Sequence, residues 1–255
     1  MSLPTLYHAP SSYYSMIARL ALAEAGIEYT SRIVDIHRRR QNILPDYARI
    51  QPNLSVPAMT VEGRTVVESR QILEHALGDG GAEGRPWIDR HYGFEVEDLT
   101  FGRLLAWNPL ARRAIPRTLA KQEAKLRALA LENPDLAEVY LRRAEVFTRR
   151  QRNFDPATVA GLFAKRRAEA CAHLDALEAA LGDGRATLVE GAYGPADVVW
   201  TVFLARIRFA RLGEEITRRP AVERYTARMF ARPSFTQADV WESVHLGAML
   251  RQLFG

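Results

Sequence analysis

Cysteine and lysine are the scarce residues of this 255-residue chain. The single cysteine, Cys171, excludes a disulfide within the chain and a cysteine-rich zinc site. One thiol fits a reducing compartment, so a cytoplasmic location is expected. No stretch approaches the ~20 consecutive apolar residues that span a bilayer. Met1 leads into Thr5-Leu6-Tyr7 without a basic leader, so no secretion signal is expected. The six histidines make no HExxH-type pair and no Cys/His cluster, and no GxGxxG or phosphate-binding loop occurs. Neither metal nor nucleotide chemistry is expected.

Positive charge is carried almost wholly by arginine. Lys121, Lys125 and Lys165 are the only lysines among 35 basic residues, which face 30 acidic ones for a net charge of +5. Double arginines recur at 112–113, 142–143, 149–150, 166–167 and 218–219. A nucleic-acid surface would gather such residues on one face. Here they are scattered through helical segments among Glu and Ala, which predicts solvated helix faces and neither a nucleic-acid nor a membrane partner. A hydrophobic content of 47% suffices for a core without metal or disulfide support.

The first eighty residues mix strand and helix signals. Thr5 to His8 is a short strand candidate, ended by Pro10 and Ser11-Ser12. Ile17, Leu20, Ala21 and Ala25 recur at spacings of three and four, which predicts a helix from Tyr14 to Ala25. Ser12 suits its N-cap and Gly26 its end. Tyr29–Val34 reads as a second strand, Asp46–Ile50 as a short helix, and Val56–Val61 and Thr65–Val67 as two strands joined by Glu62-Gly63-Arg64. Ser69–Leu77 closes the order β-α-β-α-β-β-α. A Gly-rich linker is expected over 79–89. Helices are expected at about 88–111, 117–150, 155–181, 195–212, 219–231 and 236–253. The pattern predicts an α/β domain over 1–78 and an all-α domain over 90–255.

Three local features of the first domain carry chemistry. Pro57 opens a strand, where a residue without an N–H belongs. A cis Val56-Pro57 bond would leave the Val56 N–H and C=O free for an extended peptide ligand. Glu68 and Ser69 open a helix, where unpaired N–H groups and the helix dipole favour a ligand carboxylate and Glu68 could accept an amine. Ser11-Ser12-Tyr13-Tyr14 precedes the first helix. A hydroxyl there can donate to a thiolate, and a helix N-terminus lowers a thiol's pKa from its usual ~8.5.

This order, with its Ser-rich turn, Val56-Pro57 pair and Glu68-Ser69 pair before an all-helical domain, resembles the cytosolic glutathione transferase superfamily. Tyr193-Gly194-Pro195-Ala196-Asp197 is similar to that family's helix-capping motif, with Gly194 where Ser or Thr is usual. Pro45-Asp46-Tyr47-Ala48-Arg49, Asn133-Pro134-Asp135-Leu136, Leu174-Asp175-Ala176-Leu177 and the stretch Ala196–Ile207 resemble the tetrachlorohydroquinone reductive dehalogenases in particular. That branch's nucleophilic cysteine falls on Tyr14, so reductive dehalogenation through a protein thiol is not expected here.

The resemblance implies a thioredoxin-like α/β domain followed by an all-α domain, glutathione as co-substrate, a homodimer and a role in xenobiotic detoxification. It implies Ser12 as thiolate stabiliser, with Tyr7 the rival. Val56 and Pro57 would meet the cysteinyl unit, and Glu68 and Ser69 the γ-glutamyl end. Ser55 stands where the family often has Lys or Gln, leaving Asn42, Gln41 or an arginine of 38–40 for the glycine carboxylate. An acceptor pocket between the domains would draw on Tyr13, Tyr14, Leu104, Trp107 and Trp241 as a lid. These suit a flat, hydrophobic, aromatic class of electrophile. Conjugation, dehalogenation, ether cleavage, isomerisation and a non-catalytic glutathione-binding role all remain open at this level.

Overall fold

The computed structural model describes residues 3–191 and 193–243. Four strands, β1 (Thr5–His8), β2 (Thr30–Ile33), β3 (Ala58–Val61) and β4 (Arg64–Val67), form one mixed sheet in the order β2-β1-β3-β4. β1 and β2 run parallel, with α1 (Tyr13–Glu24) as the crossover that parallel neighbours require. β3 and β4 form an antiparallel hairpin. Its turn is only Glu62 and Gly63, at φ 50° and 76°, the backbone a two-residue hairpin loop demands. Arg64, expected in the turn, is the first residue of β4.

Leu6 pairs with Met59 across the sheet, and both pack on Ala18 and Leu22 of α1 and Ile72 of α3 (Ser69–Leu77). The two helices therefore cover the sheet face that bears Leu6. Strand alternation turns Tyr7 to the opposite face. Ser12 caps α1 by accepting from the Ser15 N–H, and Gly26, at φ 65°, follows the helix end in the left-handed conformation. A short helix, α2 (Pro45–Ile50), precedes β3.

Beyond α3 the chain is helical. The expected linker at 79–89 is mostly helix: α4 spans Gly81–Tyr92 and carries Pro86 inside it. Glycines there serve packing as well as turning. Gly80, at φ 80°, caps α4 with the Ile88 side chain 2.9 Å from where a Cβ would stand, and Gly84 lies against Val189. The single helix expected at 88–111 is broken. α4 ends at Tyr92, α5 runs Val96–Trp107, and α6 begins at Pro109 with Asn108 as its cap. Pro116 does not interrupt α6 (Pro109–Glu132). A short 3-10 turn at Pro134–Leu136 leads to α7 (Ala137–Asn153), where one helix to residue 150 was expected. α8 (Val159–Ala180), α9 (Pro195–Phe209), α10 (Glu214–Thr217), α11 (Pro220–Phe230) and α12 (Pro233–Gln237) complete the order. The helix expected at 236–253 is not continuous, since α12 ends at Gln237; residues 244–253 of it lie outside the described residues.

The chain forms two compact units. The first comprises Met1–Arg40, Val56–Phe94 and Cys171–Gly255, and the second Gln41–Ser55 and Glu95–Ala170. The first holds the sheet with α1, α3, α4 and α9; the second is all helical, with α6 and α7 packed around Leu126, Tyr140, Ala144 and Phe147. α9 is buried from Pro195 to Ile207, an apolar helix at the heart of its unit. Many arginines pair locally, as Arg142 with Glu138, Arg166 with Asp98 and Glu169, and Arg219 with Asp175. No helix among the described residues is long and apolar enough to cross a membrane.

Candidate active site

The register of the sheet assembles the site. Tyr7 of β1 lies opposite Ala58 of β3, and Ala58 lies opposite Val67 of β4. One row of residues thus crosses three strands. Each chain segment leaves the sheet at that row: β1 towards Ser12, β3 back towards Val56-Pro57, β4 on to Glu68. Strands lie ~4.8 Å apart, so the three exits span roughly 10 Å, the reach of three extended residues.

Ser12 is half-buried at the mouth of α1. Its Oγ accepts from the Ser15 N–H at 3.4 Å, which uses an oxygen lone pair and leaves the hydroxyl proton to donate. Ser11 is engaged elsewhere, its Oγ 3.0 Å from His37 Nε2. The turn that carries both serines is held by Arg19. From its buried place on α1, Arg19 donates to the carbonyls of Ala9, Pro10, Ala238 and Asp239.

The Val56-Pro57 bond is cis. β3 pairs only from Ala58, so the Val56 main chain lies outside the ladder. Glu68 stands at the N-cap of α3 with φ 70° and ψ 141°, a backbone conformation rare for a residue with a Cβ. Its carboxylate is exposed. Ser69 beside it is buried, its Oγ 3.0 Å from the Tyr92 hydroxyl. Strain of this kind gathers at functional sites.

Ser12, Val56, Pro57, Glu68 and Ser69 therefore belong to one unit and one sheet edge. Asn42 belongs to the second unit, and its Nδ2 donates to the Leu54 carbonyl at 2.9 Å. One of its two amide N–H groups is used on the loop ahead of Pro57.

The aromatic candidates divide. Tyr14 is half-buried in the first turn of α1 and stacks with Tyr92 at 6.5 Å between centroids. Tyr13 is a core residue, not an exposed wall: its hydroxyl lies 2.6 Å from His91 Nε2, and its ring stacks on that imidazole. Burial raises the Tyr13 phenol well above its ordinary pKa and lowers His91 to about 3, helped by His173. Trp241, expected on a helix, lies outside one and is buried. It is 1% exposed, with its N–H on Met16 Sδ and its Nε1 on Asp239. Leu104 and Trp107 lie on α5 in the second unit and are exposed, with the Arg103 guanidinium 4.4 Å from the Trp107 ring centroid.

One residue escaped the sequence reading. Arg206 of α9 is 7% exposed and sits 5.2 Å over the Tyr13 ring and 4.6 Å over the Phe209 ring. Its Nη2 is buried without a hydrogen-bond partner among the described residues. Nothing in a sequence this rich in arginine marks it.

The motif at α9 works as half a capping box. Asp197 accepts from the Gly194 N–H at 3.0 Å, while Gly194 has no side chain to return the bond. Asp197 also accepts from the Leu188 N–H and the Tyr225 hydroxyl.

The four-stranded sheet with a serine-capped first helix, a proline-led third strand and an acid at the start of its third helix is similar to the N-terminal domain of the glutathione transferases. Residues 3–77 match the family model described as the N-terminal domain of glutathione S-transferase. Among curated proteins the chain is similar to the tetrachloro-p-hydroquinone reductive dehalogenase of Sphingobium chlorophenolicum, 29% identical over 92% of this chain and 95% of that one. It is 27% identical to glutathione S-transferase TCHQD of Arabidopsis thaliana over 90% of this chain and 87% of that one. Among solved structures, the β-etherase LigF from Sphingobium sp. strain SYK-6 shares the fold, with a TM-score of 0.68 at 20% identity over 93% of this chain and 98% of that one.

Proposed function

We propose that the chain is an enzyme that binds glutathione along the sheet edge of its first unit and attacks a hydrophobic aromatic electrophile with the glutathione thiolate. The observation that carries this reading is Ser12: a hydroxyl whose oxygen caps α1 while its proton is left to donate, at a helix N-terminus. A sulfur placed there gains a hydrogen bond and the favourable end of the helix dipole, both of which act on the thiolate and not the thiol.

The other contacts follow from the row of exits. The Val56 main chain pairs with the cysteinyl unit. Glu68 takes the α-amine of the γ-glutamyl end, and the α3 N-terminus with Ser69 takes its carboxylate. Tyr7 points to the sheet face away from α1, which favours Ser12 over Tyr7 as activator. An arginine of 38–40 is the better candidate for the glycine carboxylate, because it carries a full charge and belongs to the same unit as Ser12 and Glu68, as Asn42 does not.

The step is a substitution. The sulfur lone pair forms a carbon–sulfur bond, and the leaving group departs with its electron pair. The protein supplies orientation and a lowered thiol pKa. With Tyr14 in the first turn of α1 and Cys171 on α8, no protein thiol takes part. The names of the relatives, a dehalogenase and a β-etherase, favour a halide or an aryl ether oxygen as leaving group. A homodimeric, cytoplasmic enzyme of xenobiotic turnover is the setting this reading implies.

Ultraviolet titration of the bound thiol tests it. In Ser12→Ala the thiol pKa is expected to rise by about one unit or more, and turnover at neutral pH to fall ~10–100-fold. An unchanged pKa and rate would remove Ser12 from the mechanism.

A further inference from the structure

Arg206 is a charged group enclosed by rings. Tyr13 and Phe209 lie under its guanidinium, and no carboxylate among the described residues pairs with it. A buried cation left without an anion is costly, and a buried donor without an acceptor adds to that cost. Arg70 shows the ordinary solution: near the Tyr92 ring, it is paired with Glu74 and Asp89. Arg206 keeps its charge at neutral pH, since burial lowers its pKa only to about 10.

Its position is telling. Tyr13, the ring beneath it, directly follows Ser12 in the chain, and Tyr14 beside it stacks with Tyr92 through half-buried rings. A cation, a flat aromatic pair and the activating serine are thus gathered at the first turn of α1.

We infer that Arg206 recognises an ionised oxygen group on the acceptor, so that the preferred electrophiles are aromatic rings bearing a carboxylate or a phenolate. The inference rests on the transferase reading for its reaction, but not for its binding site. A single uncompensated guanidinium matches a monoanion, and its planar fork suits two oxygens or one phenolate oxygen. The rings around it exclude water, which strengthens the pairing.

The test is calorimetric binding of para-nitrobenzoate and its neutral counterpart para-nitrobenzamide to the glutathione-saturated protein, with para-nitrophenolate as the second anion. Neither benzoyl probe carries a leaving group, so binding is read apart from chemistry. The anions should bind the wild type at least about tenfold more tightly than the amide. Arg206→Gln should lose ~10–100-fold for the anions and less than about twofold for the amide. Arg206→Lys should retain part of the preference. Equal affinity of anion and amide for the wild type would overturn the proposal, as would equal losses for both in Arg206→Gln with an unchanged circular dichroism spectrum. If Arg206→Gln fails to fold, the wild-type preference and its retention in Arg206→Lys decide. A wild-type preference for anions alongside an unperturbed glutathione thiol would sink the transferase reading alone. A perturbed thiol with no anion preference would sink the Arg206 assignment alone.

Discussion

The places of Ser12 and Glu68 at the starts of α1 and α3 are set by what lies next to them in the chain, which is why those places were legible beforehand. A cap serine is recognised from the helix it precedes, and Pro57 from the strand it opens. Tyr13, Trp241 and Arg206 are different. Their surroundings come in part from distant residues, His91 for Tyr13, Met16 for Trp241 and Tyr13 for Arg206, which no local pattern connects to them. The burial of Tyr13 and Trp241 was therefore not legible, and Arg206 was lost among the other arginines. Glu68 supplies a prediction at this scale. Glu68→Gln keeps the shape but removes the charge that an ammonium group would meet. Calorimetry should show glutathione affinity lowered ~10–100-fold, with little change in Tm because the carboxylate is exposed.

α9 is the element on which the first unit depends, and Asp197 is what starts it. Three donors converge on one buried carboxylate: the N–H groups of Leu188 and Gly194 and the Tyr225 hydroxyl. Asp197→Ala would strand all three. The expected loss is about 3–5 kcal/mol, read as a fall in Tm of roughly 10 °C in a thermal melt. Gly194→Ser should act oppositely by completing the reciprocal cap, adding about 0.5 kcal/mol or more. Element boundaries were legible where residue chemistry punctuates them, as at Gly26, Pro195 and Pro220. They were not where punctuation and context disagree. Gly80, Gly81 and Gly84 read as a linker, yet Gly80 caps a helix that Gly81 begins, and a Cβ at Gly80 would stand 2.9 Å from the Ile88 side chain. Pro116 reads as a stop, yet α6 continues through it, since a proline costs one backbone bond that tertiary packing can outweigh.

Across the whole molecule, charge is dispersed by local pairing, and the titrations that matter are internal. His8, desolvated and near Arg19, has its pKa lowered to about 4, and His91 to about 3. Both lie below the unfolded value near 6.5, so below that pH the unfolded chain binds more protons than the folded one. The stability they confer is complete above about pH 6.5 and is lost as pH falls towards 4. Urea melts should show a decline on the order of a few kcal/mol across that window, flattened in His91→Gln. The α/β-then-helical order was legible because hydrophobic periodicity changes near residue 78. The grouping of residues 41–55 with 95–170 was not, because it depends on contacts such as Tyr140 to the Ile43 carbonyl. The row through Tyr7, Ala58 and Val67 has one last consequence, for how such a protein tolerates change. Every arm of the proposed ligand grip is timed by the count of residues along a strand. Removing one residue from the Glu62-Gly63 turn would invert β4 and carry Glu68 to the far side of the sheet. Exchanging side chains alters the strength of the grip, whereas altering length dismantles it.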